Sequence, residues 1–213
     1  MTSQKVDFKK DPRAGYQAKI KPAIIELSPS QFIKVDGKGD PNTSADYQQA
    51  IELLYALSYA IKMSPKHQYV PNGYFDYVVP PLEGLWWLEN DDKQIGMTLN
   101  KNHFNWRAMI QQPDFVTQEV FNHALLAVSE KKSDLEISRA SLVTFSEGLC
   151  AQILHIGNYD NEPDTIKCLD EFIKSSGYTV DISNIRRHHE IYLNDPRRTA
   201  PEKLKTIIRH PIK

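Results

Sequence analysis

The chain has 213 residues, a formal net charge of −1, 40% hydrophobic residues and 25% charged residues. This composition is typical of a soluble globular protein and excludes a disordered or collagen-like chain. No run of about 18 apolar residues is present, so the sequence predicts no membrane span. The near-neutral charge argues against a dedicated nucleic-acid binder, which carries a clear excess of basic residues.

The cysteines and the first residues indicate the compartment in which the protein works. Cys150 and Cys168 form neither a disulfide framework nor a CxxC metal motif, so we expect two reduced thiols in the protein core. The first residues, MTSQKVDFKKD, are polar and lack the apolar stretch of a secretory signal. We therefore predict a cytoplasmic protein that binds no metal and no other cofactor.

An N-terminal arm, a strand and a long helix are predicted first. Residues 1–30 are mixed in charge and rich in proline, which is typical of an arm, and residues 31–35 alternate as in a strand. The loop 36–42 contains two glycines and a proline, which end the strand. Thr43 or Ser44 can then cap a helix with a broad apolar surface.

The middle of the chain carries aromatic and valine-rich segments that are typical of strands. Pro80 and Pro81 interrupt these segments and indicate an edge or a bulge. Apolar residues at helical spacing follow. The predicted elements are strands at 74–79, 82–88 and 94–99, a turn at 90–93, and helices at 103–112 and from Asp114 to about residue 132.

The last third of the chain repeats an order of elements that the first half also shows: strand, loop with Gly, Asp and Pro, helix, and strands. The loop of the first copy contains Gly37, and the loop of the second contains Gly157. The predicted elements are a strand at 149–156, a loop at 157–163, a helix at 165–175 closed by Gly177, a strand at 188–193, and a short helix near Leu204 that begins at a capping box. We predict a single α+β domain, residues 1–213, whose halves at 31–132 and 141–213 are related by a pseudo-two-fold axis. A ligand cleft would lie between the halves. A chance similarity of two α+β segments is the alternative.

Common nucleotide, metal and nucleophile motifs are absent from the sequence. Gly37-Lys38-Gly39 lacks the spacing of a phosphate-binding loop. His188 and His189 are consecutive on a predicted strand and would point to opposite faces, so they cannot easily share one metal ion. No serine lies in a nucleophile-elbow pattern.

Two glutamates, Glu83 and Glu190, lie inside hydrophobic strands. In the second strand we expect Ile191 and Leu193 to face the helices and Glu190 to face the opposite side, where the cleft is expected. Burial of a carboxylate costs several kcal/mol and raises its pKa toward neutrality, so such a residue has a partner or a function. An ion pair with an arginine is the alternative to a ligand site. The candidate partners are Arg107, Arg186 and Arg187.

Aromatic residues accompany both glutamates. By strand parity, Glu83 shares its face with Trp87, and Trp86 takes the other face unless a bulge shifts the register. Tyr55 and Tyr59 are four residues apart on a helix, so they would stack on one helix face. Packing in the protein core is the alternative for all of these rings.

Several ordered segments resemble the GyrI-like small-molecule-binding proteins, and more narrowly a stand-alone bacterial subgroup that includes cyclopropanoid cyclopropyl hydrolases. The segments are QFIKVDGKGDPN, AIELLYALSYAIK, PPLEGLWW, NHFNWRAMIQQPDFV and HHEIYLNDPRRTAPEKLKTIIRHPI. The resemblance extends over nearly the whole chain. It implies tandem strand-helix-strand-strand halves (SHS2-like) that form a curved antiparallel sheet, with helices on one side and a ligand cleft on the axis.

The resemblance also implies site residues. In the related multidrug-sensing regulators, a carboxylate of the last-strand motif binds cationic aromatic drugs, and Glu190 is the matching position. In the hydrolase subgroup an aromatic cage holds the ligand; Glu190 would orient or deprotonate water, and Tyr55 would stabilise the developing phenolate oxygen. The ligand-binding residues would be Tyr55, Tyr59, Glu83, Trp86 or Trp87, Phe104, Trp106 and Tyr192.

Three functions are compatible with this site. The first is binding of aromatic or cationic xenobiotics with hydrolysis of cyclopropanoid DNA-alkylating compounds, and the second is sequestration without chemistry. The third is a gyrase contact through an exposed terminal basic run, and a solvated helix face is the alternative role of that run. The run consists of Arg197, Arg198, Lys203, Lys205 and Arg209. The sequence has no attached helix-turn-helix, so we expect no direct DNA binding.

Overall fold

A curled antiparallel sheet organises the fold. The computed structural model describes residues 5–88 and 103–213. Within these ranges the strands are β1 (Val6–Asp7), β2 (Ala23–Leu27), β3 (Ser30–Lys38), β4 (Tyr77–Val78), β5 (Leu82–Leu88), β6 (Phe104–Gln112), β7 (Ser141–Phe145), β8 (Gly148–Ile156), β9 (His188–Tyr192) and β10 (Lys205–Pro211). The helices α1 (Ala45–Met63), α2 (Gln118–Lys131) and α3 (Glu162–Ser175) lie on one side of the sheet.

The sheet consists of two similar halves that meet at its centre. Its strand order is β2-β8-β10-β9-β5-β6-β3-β7, and every neighbouring pair is antiparallel. The units β3-α1-β5-β6 and β8-α3-β9-β10 share the order strand-helix-strand-strand. Reading outward from the central pair gives β5-β6-β3-β7 on one side and β9-β10-β8-β2 on the other, as a pseudo-two-fold axis between β5 and β9 requires. The predicted α+β fold is therefore confirmed.

Helix α1 begins and packs as its local sequence predicts. Ser44 Oγ accepts a hydrogen bond from the backbone N–H of Tyr47 (3.3 Å), and Asp46 complements the positive end of the helix dipole. The buried residues of the helix are Tyr47, Ala50, Leu53, Leu54, Leu57, Ser58 and Ile61. Because this stripe faces the core, the adjoining stripe with Tyr55 and Tyr59 is left at the side of the helix.

Residues 104–112 form strand β6 and not the predicted helix. Phe104, Trp106 and Ala108 belong to the core on the helix side, while Met109 packs on the opposite face. Residues 104–108 do alternate between buried apolar and partly exposed polar side chains, as in a strand. Trp106, Met109 and Ile110 also have helical spacing, which explains the wrong prediction.

The short helix predicted near Leu204 is also wrong. Residues Pro201–Lys203 form a single 3₁₀ turn, and the remainder of the segment is strand β10. This strand lies between β8 and β9, and residues 206–211 are all buried. A strand buried on both faces carries no alternation of polar and apolar residues, so its pattern resembles that of a buried helix.

Other differences concern the ends of elements. Strand β7 was not predicted, and the segment predicted as a strand at 74–79 contains only β4, which pairs in parallel with β1. Helix α2 is capped by Thr117, whose side chain accepts a hydrogen bond from Val120 N, and not by Asp114. The predicted turn at 90–93 and the strand at 94–99 lie outside the described residues.

Both faces of the sheet are covered. The helix side carries one core beneath α1 and α2 and a smaller core beneath α3. On the other face, the N-terminal arm (residues 5–22) places Tyr16 against Ile191 and Ile207. Cys150 is buried as predicted, whereas Cys168 is exposed, so the prediction of a core thiol is wrong for Cys168. No helix in the described part of the chain is both long and apolar enough to cross a membrane.

Candidate ligand-binding cleft

A wide cleft opens on the helix side of the sheet, above the central strands β5 and β9. Helix α1 forms one wall, and the start of α3 with the segment after β9 forms the other. The cleft volume is about 1730 Å³. A usual small-ligand pocket has roughly 300–1,000 Å³, so this cleft has room for a polycyclic ligand together with water. The residues that line it include Tyr47, Tyr55, Tyr59, Trp86, Phe104, Tyr159, Glu162, His188, Glu190 and Tyr192.

Glu190 lies on the floor of the cleft, and its side chain is 14% exposed. Oε1 accepts a hydrogen bond from Nε2 of His188 (3.1 Å), and Oε2 accepts one from the hydroxyl of Tyr192 (2.6 Å). Burial alone would raise the pKa of this carboxyl, but the contacts with His188 and Tyr192 outweigh burial and lower it below its usual range. The predicted rise toward neutrality is therefore wrong, and Glu190 is a carboxylate at neutral pH.

The orientation of Glu190 also differs from the prediction. Ile191 faces the N-terminal arm, where it packs with Tyr16 and Ile207, and does not face the helices. Glu190 points to the helix side, and the cleft is a gap between α1 and α3. Strand alternation correctly predicted that Glu190 and Ile191 lie on opposite faces of the sheet, but it does not predict which face the helices cover.

Trp86 is the tryptophan of β5 that lines the cleft. Its indole lies over Gly84, where an added Cβ would come within 2.7 Å of the indole nitrogen. This close approach lets Nε1 of Trp86 donate a hydrogen bond to the hydroxyl of Tyr192 (3.1 Å). Trp87 lies on the opposite face, where the guanidinium of Arg187 is 5.0 Å from its ring centre. Strand parity therefore predicted the two faces correctly.

The predicted cage residues Tyr55, Tyr59 and Phe104 meet at the cleft. Tyr55 and Tyr59 stack with ring centroids 6.4 Å apart, and Tyr59 is exposed at the rim. Burial raises the pKa of Tyr55, so its hydroxyl stays protonated at neutral pH and can donate a hydrogen bond. Phe104 lies 6.0 Å from Trp86 on the floor. Trp106, by contrast, is fully buried and does not line the cleft.

Four further cleft residues were not predicted as site residues: Tyr47, Tyr159, Glu162 and His188. Tyr47 and Glu162 lie in the first turns of α1 and α3, which are equivalent positions in the two halves. Burial, with smaller effects of Glu162 and then Glu190, raises the pKa of Tyr159 to about 12. The signal that could have found these residues is the repeat itself, because a pseudo-two-fold axis brings both helix starts to the same cleft.

Glu83 is not part of the cleft. It lies on the opposite face of β5, is 2% exposed, and accepts a 2.5 Å hydrogen bond from the hydroxyl of Tyr16. Its Oε2 is 2.9 Å from Nε2 of His189. The three arginines considered as partners lie elsewhere: Arg107 pairs with Asp36, Arg186 pairs with Asp181, and Arg187 contacts Trp87. The structure therefore does not bring Glu83 and Glu190 together.

His189 connects Glu83 to a second buried ion pair. Nδ1 of His189 is 2.9 Å from Glu147, and Nη1 of Arg209 is 2.6 Å from the other oxygen of Glu147. Burial would lower the pKa of His189, but the two carboxylates raise it to about 9. Burial would raise the pKa of Glu147, but His189 and Arg209 lower it to about 2. Arg209 also donates to the backbone oxygen of Gly15 (2.7 Å), so this cluster ties the arm to the sheet.

The basic run after β9 is only partly exposed. Arg197 and Arg198 lie at the rim of the cleft, 2.9 and 3.9 Å from Asp195. Lys203 is exposed on the following turn. Arg209 is 2% exposed within the cluster of Glu147, so the expectation of an exposed residue is wrong there. A gyrase contact through the remaining residues stays a prediction.

The arrangement defines what the cleft can do chemically. A fixed carboxylate lies among aromatic rings and tyrosine hydroxyls, so the cleft can hold a flat ring, attract a positive charge and orient a water molecule. Within residues 5–88 and 103–213, no group of three or more His, Cys, Asp or Glu residues is arranged to hold a metal ion.

The fold and the cleft define a class of protein, a small-molecule-binding domain built from two strand-helix-strand-strand halves. The GyrI-like small molecule binding domain family matches residues 20–213, and the chain belongs to this family. A hydrolase from Listeria innocua, known from its crystal structure, is 42% identical with a TM-score of 0.88, over 98% of this chain and 100% of that one. The crystal structure of an uncharacterized conserved protein from the same organism is 43% identical, with a TM-score of 0.90 over 98% and 100% of the two chains.

A more distant structure shares the fold alone. The C-terminal domain of EcmrR has a TM-score of 0.52 at 10% identity, over 90% of this chain and 96% of that one. A comparison with curated proteins gives no match. The resemblance stated from the sequence is thus confirmed at the level of the family.

Proposed function

We propose that the protein binds flat aromatic or cationic xenobiotics in the cleft and hydrolyses cyclopropanoid DNA-alkylating compounds there. The observation that carries this proposal is Glu190, a carboxylate held by His188 and Tyr192 on the floor of a cleft with aromatic walls. The 42% identical protein described as a hydrolase supports a hydrolytic activity.

Aromatic walls give the cleft affinity for flat ligands. Trp86, Tyr47 and Tyr55 line the cleft, and the rings of Tyr47 and Trp86 pack against each other. Each well-placed ring pair is worth about 0.5–1.5 kcal/mol beyond the buried area. A cationic ligand gains further from Glu190 and from ring faces, by about 2 kcal/mol for a desolvated cation–π contact.

The proposed reaction is the addition of water to a cyclopropane conjugated to a dienone. The water oxygen forms a bond to the ring methylene, the strained C–C bond breaks, and its electron pair moves to the dienone oxygen, which becomes a phenolate. Water that is forming a C–O bond is a strong acid, so Glu190 can take its proton although the pKa of Glu190 is low. The hydroxyl of Tyr55 donates a hydrogen bond to the phenolate oxygen, which takes up a proton to become a phenol.

The test uses a duocarmycin-type compound and mass spectrometry of the ring-opened product. We expect the wild-type protein to form this product and Glu190→Gln to form it at least about a hundredfold more slowly, since general-base catalysis contributes at least this much. Glu130→Gln, a change of the same kind on the exposed side of α2, is the matched control. Equal turnover by Glu190→Gln removes Glu190 from the mechanism, and no turnover by the wild type contradicts the hydrolase.

Sequestration without chemistry is the second candidate function. It is favoured by one observation: both oxygens of Glu190 already accept hydrogen bonds, which suits a fixed negative charge that holds a cationic ligand. Binding measured by tryptophan fluorescence, with no product after long incubation, would support this function over hydrolysis.

A further inference from the structure

Two buried histidines connect the cleft to the half-exposed Asp170 of α3. Nε2 of His188 lies 3.1 Å from Oε1 of Glu190, and Nδ1 of His188 lies 2.8 Å from Nε2 of His210. Nδ1 of His210 lies 2.8 Å from Oδ1 of Asp170. These four side chains, which we call the histidine line, form a continuous hydrogen-bonded chain from one carboxyl group to another. The reaction described above does not use His210 or Asp170.

The two ends of the histidine line differ in their access to water. His188 and His210 are 1% and 3% exposed, whereas the side chain of Asp170 is 46% exposed. The line therefore begins at Glu190 on the cleft floor and ends at the solvent. Imidazole is the side chain best suited to pass protons near neutral pH.

The hydrogen bonds determine how many protons the histidine line holds. A neutral imidazole has one donor nitrogen and one acceptor nitrogen, and an imidazolium has two donors. Each of the three contacts needs one proton. If Glu190 and Asp170 are ionised, the four ring nitrogens carry three protons, and one ring is an imidazolium. If both rings are neutral, the same proton sits on Glu190 or Asp170. One excess proton is thus shared, and it can move from end to end without breaking the line.

The surroundings of the two rings disfavour His210 as the site of this proton. The titratable groups that act on the two rings are Glu190 on β9, Asp170 on α3 and Glu147, and His189 acts on Glu190. The partners in the neighbouring strands, Ala151 on β8 and Trp86 on β5, carry no charge. Burial lowers the pKa of His210, Asp170 raises it and His188 lowers it, and the net pKa is below its usual value. His210 is therefore a disfavoured resting place for the excess proton.

We propose that His188 and His210 relay protons between Glu190 in the cleft and Asp170 at the solvent. This inference rests on the proposed hydrolysis, in which the attacking water loses a proton. The water proton passes to Glu190 and from there to Nε2 of His188. Nδ1 of His188 passes a proton to Nε2 of His210, and Nδ1 of His210 passes one through Asp170 to solvent. One proton enters and one leaves, and no electron is transferred. The relay returns Glu190 to the carboxylate while the ligand still covers the cleft.

The first test needs no substrate. The histidine rings of the full chain are to be titrated by ¹⁵N NMR in the wild type and in Asp170→Asn. The control is Glu171→Gln, the same change of charge at an exposed neighbour on the same helix. Loss of the Asp170 charge is expected to lower by about one pH unit the midpoint at which His188 and His210 release their excess proton. Glu171→Gln is expected to leave it unchanged. The same titration in both variants would overturn the relay.

The second test uses ring opening. His210→Gln interrupts the line but leaves Glu190 and His188 in place, and we expect it to slow turnover by about tenfold or more. Added imidazole or phosphate buffer is expected to restore part of the rate, because a small base replaces the relay; a purely structural defect would not respond. His67→Gln, at an exposed position, is the control. If His210→Gln does not fold, Asp170→Asn takes its place.

The two proposals fail separately. A slow variant that buffer does not rescue overturns the relay and leaves the hydrolysis standing. No turnover by the wild-type protein contradicts the hydrolysis, while the NMR titration still decides whether a proton shared by His188 and His210 responds to Asp170.

Discussion

The hydroxyl of Tyr192 donates a 2.6 Å hydrogen bond to Glu190 and also accepts one of 3.1 Å from the indole of Trp86. Tyr192 thus fixes both the charge on the cleft floor and the ring beside it. Without this hydroxyl, Glu190 keeps only its contact with His188, and the indole N–H loses its acceptor.

Tyr192→Phe is therefore expected to raise the pKa of Glu190. At pH 8 the affinity for a cationic aromatic ligand should fall by about fivefold, as for the loss of one hydrogen bond. At pH 5 the loss should be larger, because part of Glu190 becomes protonated in the variant and not in the wild type. Fluorescence titration at the two pH values measures this. Tyr178→Phe, three residues after the end of α3, is the control. An affinity that falls equally at both pH values contradicts the prediction.

The two adjacent tryptophans of β5 should differ as reporters of binding. Trp86 lines the cleft, whereas Trp87 lies on the opposite face, so a bound aromatic ligand contacts the first and not the second. We expect Trp86→Phe to remove most of the ligand-induced quenching and to weaken binding about five- to tenfold through lost ring contact. Trp87→Phe is the matched control and should keep both the quenching and the affinity. The reverse result would place the ligand on the other face.

The local sequence was sufficient to predict which side chains of β5 and β9 share a face, but not which elements of the fold cover each face. Side chains alternate along a strand, so Trp86 and Trp87, or Glu190 and Ile191, had to separate. Which face carries the helices depends on the handedness of connections and on the path of the N-terminal arm. These are properties of the whole chain, and residues 188–193 contain no information about them.

Periodicity failed for β10 because this strand is covered on both faces. Residues 206–211 are all buried, so the strand has no polar period, and length and composition alone favour a helix. In β6, residues 104–108 show the period of a strand, but Trp106, Met109 and Ile110 also have helical spacing. Strand β9 was predicted within one residue of its observed end, whereas β3 extends three residues beyond its predicted end at residue 35, into the segment predicted as a loop.

Ionic partners were the least predictable feature. Glu83 was expected to pair with an arginine or to bind a ligand, but its partners are Tyr16 and His189. Tyr16 reaches Glu83 only because the arm crosses that face. Such a contact, 67 positions apart in the chain, depends on the complete fold and leaves no trace in the local pattern of either segment.

Glu162 is expected to select for positive charge in the ligand. Its buried side chain lines the cleft at the start of α3, and its charge raises the pKa of Tyr159 and Tyr192. Glu162→Gln should weaken binding of a cationic aromatic ligand by about fivefold or more and leave a neutral analogue of the same shape nearly unchanged, because only the charge is removed. Calorimetric titration with the ligand pair checks this. Equal losses for both ligands would indicate a change of shape and contradict a role in charge selection.

The buried cluster of Glu83, His189 and Glu147 on the arm side should make the fold less stable at alkaline pH. The pKa of His189 is raised from its usual 6.5 to about 9 by Glu147 and Glu83, against the opposing effect of burial. A raised pKa means that the folded state holds the proton more tightly, so the stabilisation is complete below about pH 6.5 and is lost as the pH rises through about 9. Its full size is on the order of 3 kcal/mol in the free energy of unfolding.

Urea unfolding at pH 6.5 and pH 9.5 therefore should show a loss of about 2–3 kcal/mol in the wild-type protein. Glu83→Gln removes one of the two carboxylates that hold the proton on His189, so this variant should be less stable at pH 6.5 and should lose less on going to pH 9.5. His67→Gln, at an exposed position, should follow the wild type at both pH values. If Glu83→Gln and the wild type lose the same free energy between the two pH values, the proton on His189 is not what couples the arm to the sheet.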